Sequence, residues 1–375
     1  MNDNQKDNTM PKGRLESIDA LRGFDMFFIT GGAALLTAIA ALLPTPVGSV
    51  LAKHMTHASW AASYLYDYIF PTFLFLSGVS WPFSYASQVE KGRTTGQIHR
   101  KILWRMTMLI LLGWLTLGIM KFDWDHMRLA SILGRIGIAW AVAAFIYMHT
   151  RIRTQLIVAA AFLVGYWAII YFIPNPDVAL PPGKNPITSW SYCICGWMDR
   201  NYLTVAKPGH DGGAFATIGM PVTAMLGMIA GWMLRRTDVD EKRKTLQMLG
   251  MAAVLAGLCA AWYPWCPTVK AIWTPTYALL AAAYDFAILA AFHWIIDVKG
   301  YRKWAYFGTV IGMNAITIYV LQHFVNFGSV SRMFLSGIAG LFSEEVGKVI
   351  ICAGRVAAVW LVLLYFKRRG IFMRV

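Results

Sequence analysis

Apolar stretches long enough to cross a bilayer recur along nearly the whole chain. A helix needs roughly 20 predominantly apolar residues to span the hydrocarbon core. By that measure about ten spans are predicted. They begin near Arg22, Trp60, Leu103, Ala130, Gln155, Ala214, Leu246, Tyr277, Ala305 and Glu345, and each runs to the next polar break. The longest connection runs from about Ile173 to Gly213, and a loop of that length is usually functional or disordered. Its Trp190, Tyr192 and Trp197 offer flat faces to a sugar ring, or anchor the loop at the membrane interface. The first twenty residues are polar and of mixed charge, without the order of a cleavable signal, so the first span is expected to remain in the mature protein. The pattern predicts an all-α, polytopic helical bundle: a cytoplasmic N-terminal segment over 1–20, then a single transmembrane domain over 21–375 with an external loop at about 174–212.

Composition agrees with a lipid solvent. Of the 375 residues 57% are hydrophobic and only 14% are charged, against about a quarter charged in a soluble domain. So few charges cannot cover a water-facing surface of this size. The net charge of +15 does not mark a nucleic-acid surface, because the basic residues fall in short clusters between apolar runs. One set of loops holds Lys12, Arg14 and Arg22, then Lys91, Arg93, Arg100, Lys101 and Arg105, then Arg235, Arg236, Lys242 and Arg243, then Lys299, Arg302 and Lys303, and last Lys367, Arg368 and Arg369. The alternate loops hold only scattered ones, such as Lys53, Lys184, Lys270 and Arg332. The positive-inside rule puts the first set, and with it both termini, in the cytoplasm.

Ionisable groups near or inside spans are costly, which makes them candidates for function. Asp19 and Arg22 sit three apart at the mouth of the first span, as a cap and structural pair or as part of a site. His57 and Asp67 are ten residues apart, and a regular helix would hold them about 15 Å from each other, too far for a direct pair. Pro71 is expected to kink the second span and free carbonyls toward a cavity. Arg128 and Arg135, two turns apart, would give the fourth span one cationic face suited to an anionic ligand, or to buried ion pairs. Asn314, Tyr319 and His323 fall on the ninth span. From residues alone, the chain is a transporter or a membrane enzyme.

Seven stretches carry a resemblance: RLESIDALRGFDMF at 14–27, HASW at 57–60, DYIFPTFLFLSG at 67–78, RLASILGRIGIAW at 128–140, AIWTPTYAL at 271–279, IDVKG at 296–300 and GMNAITIYV at 312–320. In this order they resemble heparan-α-glucosaminide N-acetyltransferase and its bacterial relatives, within the transmembrane acyltransferase superfamily. The resemblance implies transfer of an acetyl group from cytoplasmic acetyl-CoA to the amino group of an outward-facing, glucosamine-type sugar, in a bacterial inner membrane. An amino-sugar permease is the alternative. The family's active-site His matches His57, its following acidic residue matches Asp67, its GMN block matches Asn314, and a further His matches His323. Two positions depart from the animal enzyme: Thr30 stands near an active-site Asn, and Gly134-Arg135 replaces a Gln-Arg pair.

The chemistry suits these residues. Acyl transfer from a thioester needs a base that is neutral near pH 7, and imidazole qualifies. His57 would deprotonate the acceptor or carry the acyl group itself, with Asn314 or a hydroxyl as oxyanion donor. The anionic CoA is expected at basic residues, with Arg22, Arg105, Arg128, Arg135 and Lys299 as candidates. No metal is expected, since Cys193 and Cys195 form only a lone C-x-C. A homodimer is compatible with the sequence. The cysteines carry two further expectations: reach by an external thiol reagent, and a bond from Cys266 to Cys193 or Cys195 in an oxidising compartment.

Overall fold

A computed structural model describes residues 15–119, 130–203 and 213–373. Among them every regular element is helical, and the only strand-like pairing is one bridge between Pro174 and Cys193. In chain order the elements are α1 (Glu16–Ala40), α2 (Thr45–His54), α3 (Ile69–Val79), α4 (Trp81–Glu90), α5 (Thr95–Thr116), α6 (Ile132–His149), α7 (Ile152–Phe172) and α8 (Ile194–Asn201). There follow α9 (Phe215–Arg235), α10 (Glu241–Trp262), α11 (Pro275–Val298), α12 (Tyr306–Gly312), α13 (Ala315–Leu321), α14 (Phe327–Ala339) and α15 (Glu344–Arg369). Seven of them, α1, α6, α7, α9, α10, α11 and α15, are long and apolar enough to cross a membrane. The protein is thus a multi-pass helical membrane protein.

At the other predicted spans the helices differ from a plain apolar rod. The second span starts at Ile69 rather than near Trp60, and it breaks at Ser80, just before Pro82. Pro71 does not kink it. Pro71 sits in the first turn of α3, where a missing amide costs no helical bond. Arg100, Lys101 and Arg105 put charge into the 22 residues of α5. The ninth span is broken at Asn314, whose φ of −125° and ψ of 32° are not helical.

Burial sorts the helices. In its most apolar window α9 is 83% buried inside the protein, and α15 only 11%. An apolar helix that leaves its surface uncovered needs lipid around it, so α15 lies at the edge and α9 at the centre. Small residues let the central helices touch backbone to backbone, the usual device where lipid removes the hydrophobic drive for helix pairing. A Cβ on Gly227 would lie 2.1 Å from the Phe75 carbonyl oxygen, and one on Gly231 would lie 2.2 Å from that of Val79, which seats α9 on α3. A Cβ on Gly312 would lie 1.9 Å from the Asp19 carbonyl oxygen, which seats α12 on α1.

Gly312→Ala should therefore destabilise the protein by about 1–3 kcal/mol, the usual cost of overpacking. Gly250→Ala, on α10 with open space around it, should be neutral or slightly stabilising. Thermal unfolding of the two purified variants in detergent measures the difference. Equal melting temperatures would show that the α1–α12 contact is not tight.

The cysteines between α7 and α9 and between α10 and α11 are arranged differently from the expectation. Cys193, Cys195 and Cys266 do fall in one cluster, so the two loops meet, but all three are free thiols and fully buried. Tyr166 and Thr276 fill the space beside Cys195 and Cys266 with hydroxyl contacts of 3.6 Å each. Burial also pushes the Cys266 thiol up to about 11, which suppresses its thiolate. These three cysteines are therefore poor targets for an external reagent.

Candidate active site

The segment between α2 and α3 explains how His57 and Asp67 meet. Residues 55–64 do not continue the helix, and they double back into a short 3₁₀ turn at Leu65–Tyr68. The 15 Å separation of a regular helix therefore does not apply. His57 Nδ1 lies 2.9 Å from Asp67 Oδ1. The other carboxylate oxygen, Oδ2, accepts from the backbone amides of Ala58 at 3.1 Å and Tyr64 at 3.0 Å. Tyr277 donates its hydroxyl to the Asp67 carbonyl at 2.7 Å, which ties the turn to α11. His54 is exposed and accepts from the Leu65 amide at 3.3 Å.

A third group completes the cluster. Lys270 Nζ lies 3.3 Å from Asp67 Oδ1 and 3.0 Å from His57 Nδ1. Lys270 precedes α11 in a tightly folded loop. Thr274 caps that helix by accepting from the Tyr277 amide, and its hydroxyl also accepts from the Val269 amide and donates to the Pro267 carbonyl. Pro275 then occupies the first helical position, which favours its fixed φ. Trp273 is held at φ 51°, a left-handed conformation rare for a bulky residue, and it is buried against Phe70 and Tyr277.

The electrostatics of this cluster favour an ionised Asp67. Asp67 lies outside the helix of the second span and is 1% exposed. Burial works against its charge, but the His57 bond, the Tyr64 amide, Lys270 and the Ala58 amide outweigh it and hold the carboxyl below the usual range. A proton on His57 Nδ1 is donated to the ionised Asp67 and leaves the lone pair on Nε2, whereas donation by Lys270 to Nδ1 goes with a proton on Nε2.

His57 and Lys270 line a cavity of about 270 Å³. Its other walls are mostly apolar, among them Phe70, Phe73 and Ile136, and its remaining polar groups are Tyr66, Tyr319, Gln322 and His323. His323 follows α13, and its Nδ1 donates to the Tyr319 carbonyl at 2.8 Å, which leaves Nε2 as an acceptor. The fold thus brings His57, Asp67 and His323 to one place.

The remaining predicted residues are elsewhere. Asn314 is buried at the α12–α13 break, with its Oδ1 3.5 Å from the Thr317 hydroxyl, and it does not line the cavity. Arg135 is buried on α6 with its guanidinium 5.4 Å from the Phe70 ring, one residue from the cavity-lining Ile136. Arg22 bonds Asp19 at 3.2 Å and Ser80 at 2.8 Å. Arg105 stacks on Trp140 at 4.2 Å, and Lys299 lies over Trp294 at 5.2 Å. Arg128 lies outside the described residues. In the long loop, Trp190 packs edge-on against Trp60, whose indole donates to the Ile187 carbonyl at 2.9 Å. The loop is therefore fastened to the HASW segment. Lys270 is the one cluster member the sequence reading missed, although it directly precedes the AIWTPTYAL block.

No family model matches the chain. Two curated relatives do. Heparan-alpha-glucosaminide N-acetyltransferase of Mus musculus is 25% identical over 367 residues, covering 83% of this chain and 54% of its own length. The protein of the same name from Homo sapiens is 23% identical over 363 residues, covering 82% and 52%. The chain spans about half the length of the curated relatives it matches. By that similarity the chain is a distant homologue of heparan-alpha-glucosaminide N-acetyltransferase.

Proposed function

We propose that this protein is a transmembrane acetyltransferase of the bacterial inner membrane. It takes acetyl-CoA from the cytoplasm and acetylates the amino group of an outward-facing, glucosamine-type sugar. The observation that carries this reading is the His57–Asp67–Lys270 cluster at the wall of a cavity, on a chain related to acetyltransferases.

His57 Nε2 accepts a proton from the amine as its nitrogen adds to the thioester carbonyl. Asp67 stabilises the imidazolium that forms and fixes the ring's tautomer. Lys270 keeps Asp67 ionised and places positive charge beside the developing oxyanion. Collapse of the adduct breaks the C–S bond, and the proton passes from His57 to the departing CoA sulfur. His323 closes the other side of the acceptor cavity. Arg22 and Arg105, on α1 and α5, provide the cationic end toward which the CoA nucleotide is directed. Incubation of the purified protein with labelled acetyl-CoA and a panel of amino sugars tests the reaction. Label on a sugar supports it, and label on none contradicts it.

The orientation belongs to the same proposal: both termini cytoplasmic and the 174–203 region external, on the strength of the basic clusters. Lys184 is exposed in that region. Lys184→Cys, in a protein whose partly exposed Cys352 is replaced by serine, should react with a membrane-impermeant maleimide in intact cells, where the buried native thiols stay silent. Labelling confined to inside-out vesicles would reverse the topology.

A further inference from the structure

Arg355 stands near the middle of α15, eleven residues from Glu344 and fourteen from Arg369. At about 1.5 Å per residue that is roughly 16 Å from one end and 21 Å from the other. A cation at such depth is expensive and needs a reason.

Part of the reason is local. α1 contains a π-helical stretch at Phe28–Gly32, with Gly31 at φ 153°. The irregularity lets the Thr30 carbonyl reach a partner outside its own helix, and Arg355 Nε donates to it at 2.9 Å. Gly31 makes room for this, since a Cβ there would lie 3.2 Å from the Arg355 side chain. Holding one carbonyl needs only one N–H and no charge. The rest of the guanidinium has no carboxylate partner among the described residues.

Arg355 lines a second, polar cavity of about 360 Å³ together with Gln322, His323 and Asn326. Gln322 and His323 are also walls of the cavity that holds His57. A ligand seated at His57 can therefore extend past His323 toward Arg355. Resting on the reading of that cavity as the acceptor site, we infer that Arg355 is an anion subsite. It binds an acidic oxygen group, a carboxylate, sulfate ester or phosphate ester, carried by the acceptor sugar. Lipid headgroups lie at the membrane faces, about 15 Å from the midplane, and do not reach this depth. The CoA phosphates are the other candidate source. The inner end of α15, from which they would enter, is the more distant of the two.

The test is equilibrium binding of labelled glucosamine and glucosamine 6-sulfate to the purified, detergent-solubilised protein without acetyl-CoA. Acetyl-CoA binding is measured in parallel. Wild type should bind the sulfated sugar about tenfold more tightly, in line with a charge-assisted bidentate contact. Arg355→Gln keeps a donor for the Thr30 carbonyl but loses the charge, and should bring that ratio to within about twofold of unity. Arg355→Lys should keep most of it. Equal binding of both sugars by wild type overturns the proposal, as does an Arg355→Gln variant that retains the preference. Loss of acetyl-CoA binding with the sugar preference intact assigns the group to the donor and also overturns it. A wild type that prefers the sulfated sugar yet transfers no acetyl group upholds the subsite and refutes the acetyltransferase reading.

Discussion

Replacing His57 by alanine should lower acetyl transfer by about two to four orders of magnitude, the usual cost of losing a general base. Acetyl-CoA binding should be nearly unchanged, because the proposed mechanism places His57 at the acceptor end of the cavity. The variant should also fold, since the side chain is about a third exposed and Asp67 keeps Lys270 and two backbone amides as partners. Single-turnover transfer by purified wild type and His57→Ala measures the effect. If His57 instead carries the acetyl group, the loss is larger, and label from acetyl-CoA remains on the wild-type protein when no sugar is present. A variant that transfers at the wild-type rate removes His57 from the mechanism.

Asp67→Asn should cost about 10²–10⁴-fold in transfer rate, as expected when an orienting carboxylate beside a catalytic His becomes an amide. Four donors converge on Asp67: His57 Nδ1, Lys270 Nζ and the amides of Ala58 and Tyr64. An asparagine offers one oxygen and turns an NH₂ toward donors, so it favours the wrong His57 tautomer and loosens the turn that presents the ring. The same substitution has a pH signature. The folded carboxyl lies below its ordinary value, which is about 3.9 when unfolded. Its contribution to stability is therefore full above about pH 4 and is lost as pH falls through the lower folded value. Wild type should lose melting temperature below about pH 4 more steeply than Asp67→Asn. Parallel acid profiles would mean that Asp67 is not held as a stabilised carboxylate.

The helical bundle was legible because lipid-facing helices must be apolar over their whole length, and that signal survives in α1, α7, α10 and α15. What local pattern could not show was where the chain leaves the helix. His57 and Asp67 looked too far apart because helical spacing was assumed across residues that form a loop. Pro71 looked like a kink because the start of α3 was placed several residues early. Lys270 read as a stray loop charge, since its partners lie more than 200 residues away in sequence. Arg355 was passed over within an apolar run, and its hydrogen-bond partner is a carbonyl in the irregular turn of α1. The thiols of Cys193, Cys195 and Cys266 were correctly expected to share a region, but not to be buried there as free cysteines. Asn314 read as a helical residue of the ninth span, whereas it marks that helix's break.

The most direct test of a transmembrane acetyltransferase separates donor and acceptor by the bilayer. The protein is reconstituted in proteoliposomes with labelled acetyl-CoA only on the side of its cytoplasmic termini and glucosamine only on the other. The account predicts labelled N-acetylglucosamine on the acceptor side, with CoA retained on the donor side and no product from His57→Ala. Glucosamine crossing the bilayer at the same rate without acetyl-CoA, and no acetylated sugar on either side, would contradict it and identify a permease.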